Sequence, residues 1–294
     1  MSEGLILDLT RLLPGPLAGR ILAELGYRVL HLVPPGGDPT AAAPEMYHWL
    51  NWGKQEEELN LKSPAGVERL KSLVPEAVAL LETNRAGVME KLGVGPEVLL
   101  AINPNLTYIR LASFRGEKYA KVPGHDLAYL AAGGLLERFE GAWQKIQIAD
   151  TAGAFWGAIA TLRGISSGGG FYEVFLAEAP FALGFPEMPM LDGNLVCYSV
   201  YPARQGQVVL VGLEPHLWQG FCSAVGHPEW LGEGFSPAED ANPVYSAVKE
   251  LLASKTAAEW DELAAEQGLP LRAVQSYALP ERILPWRYSR PEKR

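Results

Sequence analysis

Three side chains and one loop have the type and setting to do chemistry. Asp150 follows Ile146, Ile148 and Ala149 and precedes a run of small residues, which sets its carboxylate at a helix start in protected surroundings. Two readings fit. Aspartate is a preferred N-cap, accepting backbone N–H groups that the first turn leaves unpaired. It is equally a candidate general base or nucleophile, because partial burial raises its pKa while the helix dipole lowers it. His125, in Pro123-Gly124-His125-Asp126, poses the same choice between capping a helix and titrating in a cleft. Glu214 lies just past the apolar run 208–211, at another helix start, where acids are favoured by the dipole alone. The loop from Arg11 to Gly19 joins a strand to a helix, a place where N–H groups and the helix dipole can hold a phosphate. It is neither GxGxxG nor a P-loop, since Pro14 and Pro16 lack the N–H donors of such a cradle. Neither Ser-His-Asp hydrolysis nor a metal site is expected. Cys197 and Cys222 show no metal-ligand spacing and fit a reduced compartment.

The elements that must position these groups alternate in type. Residues 5–9 and 28–33 read as strands around a turn at 11–16 and a helix over 17–25, which makes a βαβ unit with parallel pairing. Ser63-Pro64 starts a helix that runs to Leu73. Strands are expected at 77–81 and 106–111 with a helical segment at 88–100 between them, then a helix at 152–162, a flexible turn at 164–170 and a strand at 171–176. The predicted fold is α/β, with a Rossmann-like large domain built on a mostly parallel sheet. Past a proline-rich stretch at 180–189, a hairpin (196–201 and 207–212) and helices at 215–225 and 243–266 predict a smaller α+β domain. The expected boundaries are 1–178 for the large domain, 179–194 for a linker, 195–268 for the small domain and 269–294 for a return to the large one.

Composition narrows the class. The chain has 294 residues, and 25 Lys and Arg against 34 Asp and Glu give a net charge of −9, which argues against nucleic acid as a partner. A hydrophobic fraction of 48% supplies a sizeable core. No apolar run reaches the roughly 18 residues of a membrane span, and MSEGLILDLTRL lacks a signal peptide's basic and apolar segments, so no membrane association and a cytoplasmic location are expected.

Taken in order, several segments resemble the family III CoA-transferases, the group that includes α-methylacyl-CoA racemase. They are Leu7-Asp8-Leu9-Thr10-Arg11 with Gly15-Pro16 and Leu22-Ala23-Glu24-Leu25-Gly26; Asn51-Trp52-Gly53-Lys54 with Leu59-Asn60-Leu61-Lys62; the stretch Asn84 to Gly93; and Asn103 to Tyr108. Gly124-His125-Asp126-Leu127-Ala128-Tyr129-Leu130 resembles the histidine motif of the racemase branch, and Val211-Gly212-Leu213-Glu214-Pro215 its glutamate motif. Asp150, in Ile148-Ala149-Asp150-Thr151, falls on the aspartate that racemases and transferases share. Departures occur at Ala86, where the family has proline, at Val33-Pro34-Pro35 in place of Glu-Arg-Pro, at Gln55 in place of a basic residue, and in a short 178–191 stretch.

The resemblance implies a family III fold and an enzyme acting on an acyl-CoA, with no tightly bound cofactor and with the CoA thioester as substrate. Asp150 and His125 would exchange protons with opposite faces of the α-carbon of a 2-methylacyl-CoA, Glu214 would orient His125, and the backbone N–H of Asp126 would hold the enolate oxygen. CoA would be held by Arg11, Gly15, Pro16, Lys54, Arg85 and Lys91. In a CoA-transferase, Asp150 would instead attack the thioester. The departures near the CoA site add a third expectation, a catalytically weakened CoA-binding relative. The resemblance also implies an interlocked homodimer.

Overall fold

The computed structural model describes residues 4–119, 122–139, 145–184, 186 and 188–285. The chain divides into two compact units, one comprising Met1–Phe185 and Pro280–Arg294, the other Pro186–Leu279. The first is a six-stranded, wholly parallel sheet: β1 (Leu5–Leu9), β2 (Arg28–Val33), β3 (Gln55–Glu58), β4 (Ala77–Glu82), β5 (Thr107–Ala112) and β6 (Gly170–Phe175), in the spatial order 3-2-1-4-5-6. That order runs outward in both directions from a switch point between β1 and β4, where doubly wound sheets open a crevice at the carboxyl ends of their strands.

Both faces of the sheet are covered, as parallel sheets require. Along β1, Leu5, Leu7 and Leu9 enter a core with Leu70, Leu80, Leu99 and Tyr108, while Ile6 enters the opposite core with Leu22, Ile109 and Ala154. The first core is closed by α3 (Pro64–Leu73), the short α4 (Val88–Lys91) and α5 (Pro96–Ile102); the second by α1 (Pro14–Glu24), α6 (Asp126–Ala132) and α7 (Ile148–Ser166). A further helix, α2 (Pro44–Leu50), precedes β3. Helix α7 lies hard against β5 and β6 because its inner face is nearly bare. A Cβ on Gly164 would come 2.2 Å from a Thr107 methyl, and one on Gly153 would come 2.2 Å from Leu176.

Several boundaries differ from expectation. Helix α1 begins at Pro14, since proline fits the first helical turn, where no N–H is needed. The segment 88–100 is two helices, separated at Gly93, which takes a left-handed φ of 71°. Helix α7 runs to Ser166, so the glycine turn is only Gly168 to Gly170.

The second unit carries β7 (Tyr198–Pro202) antiparallel to β8 (Gln207–Val211), which pairs with β9 (Leu271–Ala273). Helices α8 (Pro215–Val225), α9 (Pro243–Ala253) and α10 (Ala257–Gln267) pack on this sheet around Tyr201, Trp218, Phe221 and Trp260. The single helix expected over 243–266 is broken at Thr256, whose side chain and Glu259 form a capping box. Because β9 belongs to this unit, the return to the first begins at Pro280 rather than at residue 269. There Glu24 accepts the N–H groups of Ile283 and Leu284, and its neighbour Arg20 donates to the Glu281 carbonyl.

Candidate active site

A cleft of about 1220 Å3 opens in the first unit at the carboxyl ends of the central strands. Its walls come from the segments after β1, β2, β3, β4 and β5 and from the N-terminal ends of α6 and α7. The loop after β1 is held in an unusual shape. Leu12 has a left-handed φ of 69°, a conformation costing about 1 kcal/mol for a residue with a Cβ. Its N–H donates to Asp38 Oδ2 at 3.0 Å, and Asp38 Oδ1 is itself fixed by the Thr40 N–H and hydroxyl. The Arg11 N–H donates to Thr83 Oγ1 at 3.2 Å, which ties this loop to the one after β4. The two loops flanking the switch point thus present Arg11 and Arg85 to the same cleft.

At the other wall two helices begin side by side. Asp126 is the first residue of α6 and Asp150 the third of α7. Asp126 Oδ1 accepts the Asp150 N–H at 2.9 Å, so a carboxylate from one helix caps the other. Neither acid has much water, at 5% and 8% exposure. Burial, followed by the negative charge of Asp126, pushes the Asp150 carboxyl up to about 7. Asp150 is therefore no N-cap; Gln147 occupies that position and makes no side-chain cap. It is a carboxyl poised to exchange a proton near neutral pH, the condition under which general bases work best. His125 is the N-cap residue of α6, but its imidazole makes no cap hydrogen bond and is exposed at the cleft. Its backbone is set by Tyr129, whose hydroxyl donates to the Gly124 carbonyl at 2.8 Å and pairs with Ser113 at 3.1 Å. Gly124 permits that approach, since a Cβ there would lie 2.4 Å from the Tyr129 ring.

Comparison with known proteins decides the kinship. The model of CoA-transferase family III matches residues 1–167 and 178–280. The chain belongs to that family. It is 31% identical over 289 residues to the alpha-methylacyl-CoA racemase of Mus musculus, covering 88% of this chain and 73% of that one. It is also 28% identical over 268 residues to the succinyl-CoA:mesaconate CoA-transferase of Haloarcula marismortui, covering 78% and 68%. The crystal structure of the Mycobacterium tuberculosis protein Rv3272 superposes with a TM-score of 0.78 at 27% identity, covering 93% of this chain and 82% of that one. Homologues of this family are enzymes, racemases or transferases, and their relatedness to this chain at about 30% identity extends to both kinds.

Of the expected family residues, Asp150, His125, Arg11 and Arg85 line the cleft, and the Asp126 carboxylate lies against Asp150. Gly15, Pro16, Lys54 and Lys91 are not among the described residues that line it. Lys54 is buried, and its ammonium donates to Asp8, Asn51 and the Pro16 carbonyl, which leaves no donor for a phosphate. Gly15 serves packing, because a Cβ there would fall 2.1 Å from that of Thr10. Lys91 is exposed on α4. Glu214 occupies the N-cap position of α8 in the second unit, with its side chain exposed and making no cap bond.

Reading the sequence overlooked three residues. Lys62, in the turn after β3, adds a third cation to Arg11 and Arg85 on the cleft wall, and Asp150 is the sole carboxylate among the described lining residues. The local charge thus opposes the net −9 of the chain. Tyr129 and Ser113 could have been suspected from a tyrosine in an apolar helix, whose hydroxyl must find a partner. Gly164-Ile165-Ser166-Ser167-Gly168 does spell G-x-S-x-G. It lies at the end of α7 rather than between strand and helix, and Ser166 donates to the Arg163 carbonyl at 2.8 Å, so it forms no nucleophile elbow. Among the described residues no group of three or more His, Cys, Asp or Glu is placed to hold a metal, and no helix is long and apolar enough to cross a membrane.

Proposed function

We propose that the protein is an acyl-CoA racemase or epimerase that inverts the α-carbon of a 2-methylacyl-CoA. One observation carries this reading: the Asp150 carboxyl, with a pKa of about 7, and the His125 imidazole line the same cleft from the starts of two different helices. Ionised Asp150 removes the α-proton from one face; the C–H electron pair moves into the thioester as an enolate; protonated His125 returns a proton to the opposite face. Reversal uses the complementary protonation states. As the first residue of α6, Asp126 has an N–H without an intrahelical acceptor, the kind of donor an enolate oxygen needs. Arg11, Lys62 and Arg85 supply the positive charge that the CoA phosphates require. No tightly bound cofactor is needed.

A homodimer in which each chain threads through the other accords with the exposed apolar outer face of α7, where Phe155 and Ile159 are 53% and 51% exposed. A cytoplasmic location goes with this reading.

The transferase alternative uses the same aspartate. Asp150 would attack the thioester carbonyl, expelling CoA thiolate and leaving an acyl-aspartyl anhydride; the thiolate would then attack the aspartyl carbonyl, giving aspartyl-CoA and the free acid. The similarity to a CoA-transferase at 28% identity favours keeping it second. Incubation with (R)-2-methylacyl-CoA in D2O separates the two. The racemase reading expects deuterium at the α-carbon and a racemic product. A hydroxylamine-trappable adduct on Asp150 without α-exchange would favour the transferase. CoA binding with neither result would leave a catalytically weakened CoA-binding protein.

A further inference from the structure

The loop that carries Asn84 and Arg85 into the cleft is bounded by two glutamates, Glu82 at the end of β4 and Glu90 in α4, and one guanidinium holds both. Arg110, on the neighbouring strand β5, donates from Nε to Glu82 Oε1 at 2.6 Å and from Nη2 to Glu90 Oε1 at 2.7 Å. Glu173 on β6 lies 3.6 Å from Nη1, and the guanidinium sits over the Phe171 ring. The second oxygen of Glu82 accepts the Asn84 N–H at 2.5 Å, and the Asn84 amide reaches Met89 Sδ at 3.4 Å. Arg110 and Glu82 are almost wholly buried, whereas Glu90 is 42% exposed. None of the three acids nor Arg110 lines the cleft among the described residues, yet Thr83, Asn84, Arg85 and Val88 all do. A buried arginine fork spanning the two ends of a short loop is more than the strand pairing of β4 with β5 requires.

We propose that Arg110 is a positioning residue for ligand binding. By stapling the loop at Glu82 and at Glu90 it holds Asn84 and Arg85 in one arrangement, so that Arg85 meets an anionic ligand without a further ordering penalty. A lysine cannot do this, because one ammonium lacks the planar two-ended fork. The inference rests on the cleft taking a CoA thioester only for the choice of probe.

The test uses Glu90→Gln, which releases the α4 end while leaving the buried Glu82 pair intact, with Arg110→Lys as a second variant. Free CoA is titrated by calorimetry into the full chain, and amide hydrogen exchange is followed over residues 82–92 without ligand. The staple predicts that Glu90→Gln weakens CoA about 3- to 10-fold, within the usual range for residues acting at one remove. In an Arg85→Gln background the same substitution should change Kd less than about 2-fold, since the effect runs through Arg85. The Asn84 amide should exchange faster in both variants, with Ile109 in β5 unchanged. A purely structural role would lower Tm and weaken CoA equally in both backgrounds, and that additivity would overturn the proposal. So would wild-type exchange at Asn84. If the wild-type chain binds no CoA, the functional reading fails, and the exchange measurement alone decides the staple.

Discussion

Two buried aspartates in the first unit, Asp8 on β1 and Asp150 on α7, are the same chemical group put to opposite ends. Asp8 is fully enclosed. Burial works to raise its pKa, but the Lys54 ammonium at 2.8 Å and the Thr10 N–H and hydroxyl more than offset this, and its carboxyl stays below the ordinary value. Asp150 is nearly as dry, but its charged neighbour is another carboxylate, Asp126, and its pKa climbs to about 7. Burial alone therefore does not mark a reactive acid. What separates the two is whether the burial is compensated: the satisfied carboxylate joins β1 to α1 and the segment before β3, whereas the unsatisfied one faces a cleft and titrates where enzymes work.

Substituting each partner should expose that contrast. Asp150→Asn is expected to lower turnover about 10²- to 10⁴-fold, as loss of a general base does. Its effect on stability should run the other way. A carboxyl whose folded pKa lies above its unfolded one contributes stability at low pH that is lost as pH rises from near 3.8 to about 7. The Asn variant should thus gain Tm over wild type at pH 8 but not at pH 4; an equal Tm at pH 8 would mean that Asp150 is well solvated in the folded chain. Lys54→Met should show the opposite signature, a loss of about 3–5 kcal/mol in urea unfolding, because it strands the buried Asp8 charge. A loss below about 1 kcal/mol would remove the contrast between the sites.

Asp126→Asn is a finer probe. The amide oxygen can still accept the Asp150 N–H, but the negative charge is gone. The acidic limb of kcat/KM should then move to lower pH by about one unit, with little change in Tm. An unmoved limb would assign the raised pKa to burial alone. Arg85→Gln should have the smallest effect, weakening CoA by about 3- to 10-fold at low salt and less at 1 M salt, where exposed charges are screened.

How far the sequence announced this depended on whether a signal was local. Strands β1 and β2 were legible to the residue because apolar runs and the proline or glycine that ends them lie within a few positions. Helix α7 looked shorter than it is, because Gly164 reads as a breaker until its contact with Thr107 shows why a side chain is excluded there. Strand β3, with the sequence Gln-Glu-Glu-Glu, has no strand propensity of its own. It exists by pairing with β2 at the sheet edge, where charged residues also deter edge-to-edge association. The capping box at Thr256 and Glu259 was present in the sequence and overlooked.

At the site, Asp150 and His125 were visible as polar residues in apolar settings. The N-cap role was plausible locally and wrong for Asp150, because Asp126, 24 residues before it, takes over the capping of α7; His125 does hold the N-cap position of α6, but its side chain caps nothing. Lys54 misled for the converse reason. The family resemblance implied that Lys54 contacts CoA, and only the fold reveals that Asp8 lies opposite it.

The central claim, that Asp150 is an uncompensated carboxyl beside a cleft and Asp8 a compensated one, can be tested without knowing the substrate. Carbon-13 labelled aspartate would be followed by NMR through a pH titration of the ligand-free protein, with Asp150→Asn and Asp126→Asn used for assignment. The account predicts an Asp150 carboxyl with an apparent pKa near 7 that falls when Asp126 becomes Asn, and an Asp8 carboxyl that stays ionised below its ordinary range. An Asp150 signal titrating near 3.8, as an exposed aspartate does, would contradict it.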